Sequence, residues 1–346
     1  ARKATSEEVV DAHIRQIEKV NPTLNAVVGK RFEEARREAK AADRRIRSSN
    51  GNSTPLLGVP CTIKECFSLE GFPRTGGLYS RRNDVQKTDA TTVARLRKAG
   101  AIPLGITNVP ELCMWMETDN KIYGRTNNAY DRTRIVGGSS GGEGAIISAA
   151  GAPFGLGSDI GGSIRMPAFF NGVFGHKPTG GLVPGTGMFP IPSNEALRYV
   201  TTGPLARKAE DLMPVLRILA GPDGNDAECK PFKLGDPSKV QLKGLTVLNV
   251  ENNGILKVSP DLQSREIVCT GIRFPVGMAF DSQGELFCTD QEGATWLANG
   301  NPFDELLHIQ KGRHYGFPPR HPRHLPDVID EPSVFDYAPQ HQSACG

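Results

Sequence analysis

The sequence predicts an α/β fold over residues 1–251, a sheet covered by helices on both faces, followed by a small all-β segment over 252–346. Two observations predict this. Strand-length apolar runs alternate with amphipathic helical runs through the first part, the pattern of a sheet sandwiched between helices. Near Glu251 the texture changes to short alternating strands separated by turns.

Each element has its own warrant. Thr5–Val20 reads as a helix, with Thr5 and Glu8 as a capping box and Val9, Val10, Ile14, Ile17 and Val20 on one face. Phe32–Arg47 is a second, strongly charged helix, and Ser48–Pro55 a loop. Val59–Lys64 is a short strand. Asp89 is read as the cap of a helix through Lys98, Gly100 as its stop, and Ile102–Ile106 as the next strand. A helix over Gly144–Ala150 follows a glycine-rich loop, another spans Lys208–Ala220, and Leu245–Val250 reads as a buried strand. Beyond it come strands Ile255–Val258, Glu266–Thr270, Val276–Phe280 and Leu286–Thr289, at the spacing of an all-β repeat.

Bulk properties exclude several classes. The 346 residues give room for about two domains. A net charge of +3, with no basic run interleaved with aromatics, argues against a nucleic-acid partner. No apolar run approaches the roughly 18 residues of a membrane helix, and the start shows no signal-peptide pattern. The chain opens without methionine, and we read it as a fragment. Seven scattered cysteines without a CxxC pair fit neither a zinc site nor a disulfide framework, and read as buried thiols.

Two glycine-serine clusters carry the chemistry, Gly137–Gly142 and Gly157–Arg165. A phosphate-binding loop needs Lys and Ser/Thr after its last glycine, but Gly142 is followed by Glu143, whose carboxylate would repel phosphate. No strand and acidic partner frame a dinucleotide fingerprint. A plain flexible linker is weakened by the helix that starts directly after the first cluster. Gly137-Gly138-Ser139-Ser140-Gly141 matches the nucleophile-elbow pattern GxSxG, yet that pattern demands a later Asp and a His, and the only His between His13 and residue 250, His176, lies too close. A serine still needs a base, and lysine serves when it is kept neutral.

With Thr62-Ile63-Lys64-Glu65 upstream, the two clusters resemble the amidase-signature family, with Ser139 and Ser163 24 apart and Lys64 75 before Ser139. Asn120–Asn128 and Ser158–Pro178 are similar to fatty acid amide hydrolases, particularly the second animal type. The resemblance covers residues 1–250 and implies a mixed twisted sheet covered by helices, truncated here, with no cofactor and no metal. It makes Lys64 the base, Ser139 the relay and Ser163 the nucleophile, with a cis peptide bond before the relay serine. Backbone N–H groups of Ile160, Gly161, Gly162 and Ser163 would form the oxyanion hole. Asp159 and Arg165 would support it, and Ser140 and Ser158 are read as structural. A reference pKa of about 10.4 makes lysine useless as a base, and burial is what depresses it. Cys113, Met114 and Met116 match positions lining an acyl-chain channel, against the alternative of a buried Leu112–Met116 helix face. The implied partner is a small-molecule lipid amide. Family members are often membrane-associated, which leaves a membrane surface as a second partner through segments outside this chain.

Gly271–Asp281 and Gly312–Pro318 resemble a sugar-dehydrogenase β-propeller of the quinone-dependent kind. Arg273 matches a quinone-contacting arginine, while Phe274 departs from the usual asparagine. About one blade is present, too little to close a ring, so no quinone is carried over. His308, His314, His321, His324 and His341 fit no standard metal spacing and read as surface residues. Three functions are therefore in play: an amide hydrolase, a quinone-binding propeller oxidoreductase, and an inactive chimera joined near residues 250–254, by a gene-model error in preference to a natural fusion. For this chain alone the expectation is weak amide turnover.

Overall fold

The computed structural model describes residues 4–48, 54–191, 199–239, 247–251, 254–259, 263–272, 275–290, 305–315 and 335–336. They fall into two compact units, residues 1–235 and 236–346.

Unit one is built on a six-stranded mixed sheet of order β1-β3-β2-β4-β6-β5. Its strands are β1 (Val27–Lys30), β2 (Pro60–Lys64), β3 (Ile102–Thr107), β4 (Phe154–Asp159), β5 (Phe174–Gly175) and β6 (Thr201–Ala206). The three central strands β3, β2 and β4 run parallel, while β1 and β6 pair antiparallel at either side. Every residue of β2, β3, β4 and β6 is buried, as strands covered on both faces must be.

Two apolar cores flank this sheet. One gathers Val10, Ile14 and Ile17 of α1 (Ser6–Leu24), Ala35 and Ala39 of α2 (Phe32–Ser48) and Ala145–Ile147 of α4 (Gly141–Ser148). The other gathers Val93 and Leu96 of α3 (Thr91–Lys98) with Val215, Leu216 and Leu219 of α6 (Leu212–Leu219). The expected two-sided cover is therefore present. The Thr5–Glu8 capping box forms as read, Thr5 Oγ1 accepting from Glu8 N–H at 3.1 Å and Glu8 Oε2 from Thr5 N–H at 2.8 Å. Asp89 does not cap α3, whose N-cap is Ala90. Its carboxylate instead accepts from Glu70 N–H and Arg97 Nη1, a longer-range use of the same charge. The predicted Lys208–Ala220 helix opens with a 3-10 turn at Ala209–Asp211 before α6. None of the described helices is long and apolar enough to cross a membrane.

Unit two departs from the single blade expected after residue 252. Its strands divide between two sheets, β7-β8-β9 (Val247–Glu251, Gly254–Val258, Arg265–Thr270) and β10-β11-β12-β13 (Pro275–Phe280, Leu286–Asp290, Glu305–Ile309, Phe335–Asp336). The reason lies at the end of β9. Thr270 donates its N–H to Arg313 O and accepts from Tyr315 N–H, so residues 313–315 occupy the edge that β10 would need. The boundary expected at 251/252 falls between Glu251 and Gly254, which are register partners of one β7–β8 hairpin. Arg273, Phe274, His321, His324 and His341 lie outside the described residues. His308 stacks on Phe287 and sits 2.8 Å from Glu285.

Tyr315 is the keystone of this unit's small core with Ile255, Ile272, Leu286 and Leu307. Its hydroxyl donates to His308 O at 2.6 Å and accepts from Gln310 N–H at 2.8 Å. Tyr315→Phe leaves both backbone groups without that partner and is expected to destabilise unit two by about 1–2 kcal/mol. Amide exchange at Gln310 in the variant, measured against wild type, checks this; unchanged protection would refute it.

Candidate active site

The site grows from the carboxyl ends of the three parallel strands, where an open α/β sheet habitually places its chemistry. Lys64 ends β2, Thr107 ends β3 and Asp159 ends β4. The chain between β3 and α4 brings the first glycine-serine cluster over those ends, with a cis peptide bond at Gly138-Ser139. Thr118 Oγ1 donates to Gly137 O at 2.8 Å, tying this turn to the preceding loop. A Cβ on Gly138 would lie 2.2 Å from the carbonyl oxygen of Trp115, so only glycine allows the two backbones to approach this closely.

Lys64 is wholly buried, and its Nζ donates to Ser139 Oγ at 2.6 Å and to Ser158 Oγ at 2.9 Å, with Ser158 O at 3.4 Å. The lysine and serine that the resemblance pairs thus meet, while Ser158, read as structural, proves to be a direct partner of Lys64. Ser163 is half-buried at the start of the turn into α5 (Arg165–Phe170). Its carbonyl accepts from Ser140 N–H at 3.1 Å, which sets the two clusters against each other. Its hydroxyl finds no hydrogen-bond partner among the described residues.

Asp159 organises the second cluster. Its carboxylate accepts from the N–H groups of Gly162 (2.8 Å), Ile164 (2.9 Å) and Arg165 (3.2 Å) and from the Arg165 guanidinium. Burial opposes the charge, but the Arg165 guanidinium and these backbone donors outweigh it and hold the carboxyl below its usual range. Of the four amides expected to form an oxyanion hole, Gly162 is therefore already committed to Asp159. Ile160, Gly161 and Ser163 find no acceptor for theirs among the described residues, and Ile160 and Gly161 are exposed. Asp159 and Arg165 together brace this turn.

A buried carboxylate lies beneath the site. Glu143 Oε2 accepts from Thr62 Oγ1 at 2.5 Å and Oε1 from Thr107 Oγ1 at 2.9 Å, which links α4 to β2 and β3. Burial pushes its carboxyl up to about 7, against the pull of the two hydroxyls and of Lys64. Gly155 makes room for it, since a Cβ there would meet Glu143 Oε2 at 1.9 Å. Glu65 is a second buried carboxyl, also pushed up to about 7 by burial, accepting from Thr75 N–H and Oγ1 and Gly76 N–H. Sequence reasoning used Glu143 only to exclude a phosphate loop. Thr62 and Lys64 share one face of β2, and that period-two pattern was the available signal.

The Leu112–Met116 stretch is not a buried helix face. Glu111–Cys113 forms one 3-10 turn with Leu112 and Cys113 in the left-handed region, at φ 55° and 56°. Met114, Trp115 and Met116 are 76%, 70% and 50% exposed, an apolar group carried on the loop that abuts Gly138. Cys113 is partly buried.

A family model described as Amidase matches residues 8–266. The chain belongs to the amidase-signature family. Fatty-acid amide hydrolase 2 of Homo sapiens is 51% identical to it over 271 residues, 75% of this chain and 50% of that relative. Indoleacetamide hydrolase of Bradyrhizobium diazoefficiens is 39% identical over 232 residues, 66% of this chain and 44% of its own length. Among solved structures, the native peptide amidase of Stenotrophomonas maltophilia aligns with a TM-score of 0.62 at 31% identity, covering 67% of this chain and 48% of that one. The chain spans about half the length of the curated relatives it matches. The family match also runs through residues 250–254, where the sequence pattern suggests a joint.

Proposed function

We propose that this chain carries the catalytic centre of a serine hydrolase of carboxylic amides, acting through an acyl-enzyme on Ser163. The observation that carries the reading is the buried 2.6 Å contact between Lys64 Nζ and Ser139 Oγ. A lysine amine with a hydroxyl at that distance, next to a second serine cluster, is a base with a proton relay. Ser163 Oγ attacks the amide carbonyl carbon, its proton passes to Ser139 Oγ, and the Ser139 proton passes to Lys64 Nζ. The carbonyl oxygen takes up the negative charge, facing the amides of Ile160, Gly161 and Ser163. As the C–N bond breaks, the proton returns along the same path to the leaving amine. Water then attacks the acyl carbon and gives a proton to the relay, the ester bond to Ser163 Oγ breaks, and the proton returns to Ser163 Oγ as the acid leaves.

The substrate class we propose is a long-chain fatty acid amide. Support comes from the exposed Met114–Met116 loop beside Ser139, from Cys113 at its base, and from the fatty-acid amide hydrolase 2 relatives. Sulfur-bearing flexible side chains suit an irregular alkyl ligand. An alkyl fluorophosphonate tests the chemistry, with Ser163 in a tryptic peptide as the expected site of the adduct. An adduct elsewhere, or none, would dismiss the assignment. A higher kcat/KM for a long-chain primary amide than for an aryl amide checks the substrate class.

A further inference from the structure

Glu65 follows Lys64 in the chain, is wholly buried, and has no part in the relay. Its carboxyl accepts four hydrogen bonds from two separate stretches of chain. Oε1 takes Thr75 N–H at 2.7 Å, the Thr75 hydroxyl at 2.5 Å and the Tyr123 hydroxyl at 3.3 Å, while Oε2 takes Gly76 N–H at 2.8 Å. A buried carboxyl is costly to keep, and this one spends all its acceptor capacity on two loops.

Both stretches lead to the exposed Met114–Met116 group. On one side, Thr75 Oγ1 accepts from Gly77 N–H at 2.9 Å, and Gly76 O accepts from Leu112 N–H at 2.6 Å. Gly77 packs so closely here that a Cβ on it would lie 2.7 Å from Pro110 O and 2.9 Å from Glu111 N. On the other side, the N–H groups of Ile122 and Tyr123 donate to Asn120 Oδ1, and Asn120 Nδ2 donates to Val109 O at 2.6 Å. The loop is thereby closed at its neck. Between the two anchors, Leu112 and Cys113 hold left-handed backbone, which residues with side chains keep only where their neighbours enforce it. The hydrogen bond from Leu112 to Gly76 supplies that constraint, and Glu65 holds Gly76. Further along, the Trp115 carbonyl lies against Gly138, the residue before Ser139.

We propose that Glu65 is the positioning residue of the 110–123 loop, setting where Met114–Met116 stand beside Ser139 and thereby the preference of the site for a long acyl chain. The acyl-chain part rests on the function proposed above, but the hold on the loop does not. Glutamine is the informative replacement. It keeps the shape and one accepting oxygen, but its NH2 group must face either Gly76 N–H or the Thr75 donors, donor against donor. One anchor of the loop is lost whichever way the amide turns. Thr75→Val is an independent break in the same path, since it removes the hydroxyl that joins Glu65 to Gly77 and keeps the volume.

The test has two readouts on each variant. Hydrogen exchange at the Leu112 and Gly77 amides is expected to quicken by about tenfold or more, with the amides of β2 protected as in wild type. Rates of Ser163 labelling by a long-chain (dodecyl) and a short-chain (ethyl) fluorophosphonate give the second readout. The ratio of long-chain to short-chain rate is expected to fall about tenfold, as when roughly two methylenes lose their apolar contact. A general loss of fold would slow both probes alike. Unchanged exchange at Leu112 in both variants, or β2 loosened as much as the loop in both, would overturn the positioning role. An unchanged ratio in both would overturn the acyl-chain role. A wild-type chain that reacts with neither probe defeats the hydrolase reading and the acyl-chain role with it, while exchange still decides whether Glu65 holds the loop.

Discussion

Replacing Ser163 with alanine is expected to abolish the covalent fluorophosphonate adduct, and replacing Lys64 with alanine to slow its formation by about 10²–10⁴-fold. The two effects have different origins. Ser163→Ala removes the atom that forms the bond, while Lys64→Ala leaves it and removes only the acceptor at the end of the relay. The proposed relay makes the three side chains one unit, so Lys64→Ala combined with Ser139→Ala should cost little more than the worse of the two alone. Lys64 is wholly buried, with Ser139 and Ser158 as its partners, so the alanine also leaves two hydroxyls to find new ones. Lys64→Met keeps most of the volume and separates loss of packing from loss of the base; it should be as slow as the alanine. Labelling rates are measured on protein whose circular dichroism matches wild type. A Lys64→Met chain that retains more than about a tenth of the wild-type rate would remove Lys64 from the mechanism.

Much of this was legible before any coordinate. Lys64 and Ser139, 75 residues apart, are paired by the resemblance to the amidase-signature family and meet at 2.6 Å. Helices and parallel strands of unit one announce themselves through periodicity and caps, because each buries a face of its own. The misreadings share a cause. Asp89 looks like a cap from its neighbours in sequence, but its partners Glu70 and Arg97 come from elsewhere in the chain or further along the helix. Of the two readings of Leu112–Met116, the buried helix face fails because the left-handed backbone at Leu112 and Cys113 turns the large side chains outward. In unit two the strands were largely found but their partners were not. An apolar alternation states which face is buried and says nothing of which edge is taken, and here residues 313–315 take the edge of β9. The roles of Glu143 and Ser158 are not legible in the sequence because they depend on β2, β3 and β4 lying side by side.

Glu143 makes the remaining prediction. Its carboxyl titrates near 7 in the folded chain, against an ordinary value of 4.5, because burial penalises the charge more than Thr62, Thr107 and Lys64 favour it. An acid whose folded value is raised holds its proton more tightly when folded. Its contribution to stability is therefore complete below about pH 4.5 and is lost as pH rises through 7. A rise of that size corresponds to about 3 kcal/mol between the two limits. Glu65, raised to about 7 by burial as well, adds a loss in the same direction, so unit one should be more stable at pH 5 than at pH 8. Glu143→Gln keeps the shape and a hydrogen-bonding oxygen for Thr62 or Thr107 but cannot ionise. Whatever the amide costs in fit is the same at both pH values, and only the avoided ionisation differs. The Tm of the variant relative to wild type should therefore rise between pH 5 and pH 8, by about 6–12 °C for a unit of this size. Calorimetry at the two pH values decides it: an equal offset at both would mean that Glu143 stays ionised throughout, and that the buried network beneath Lys64 carries a fixed negative charge.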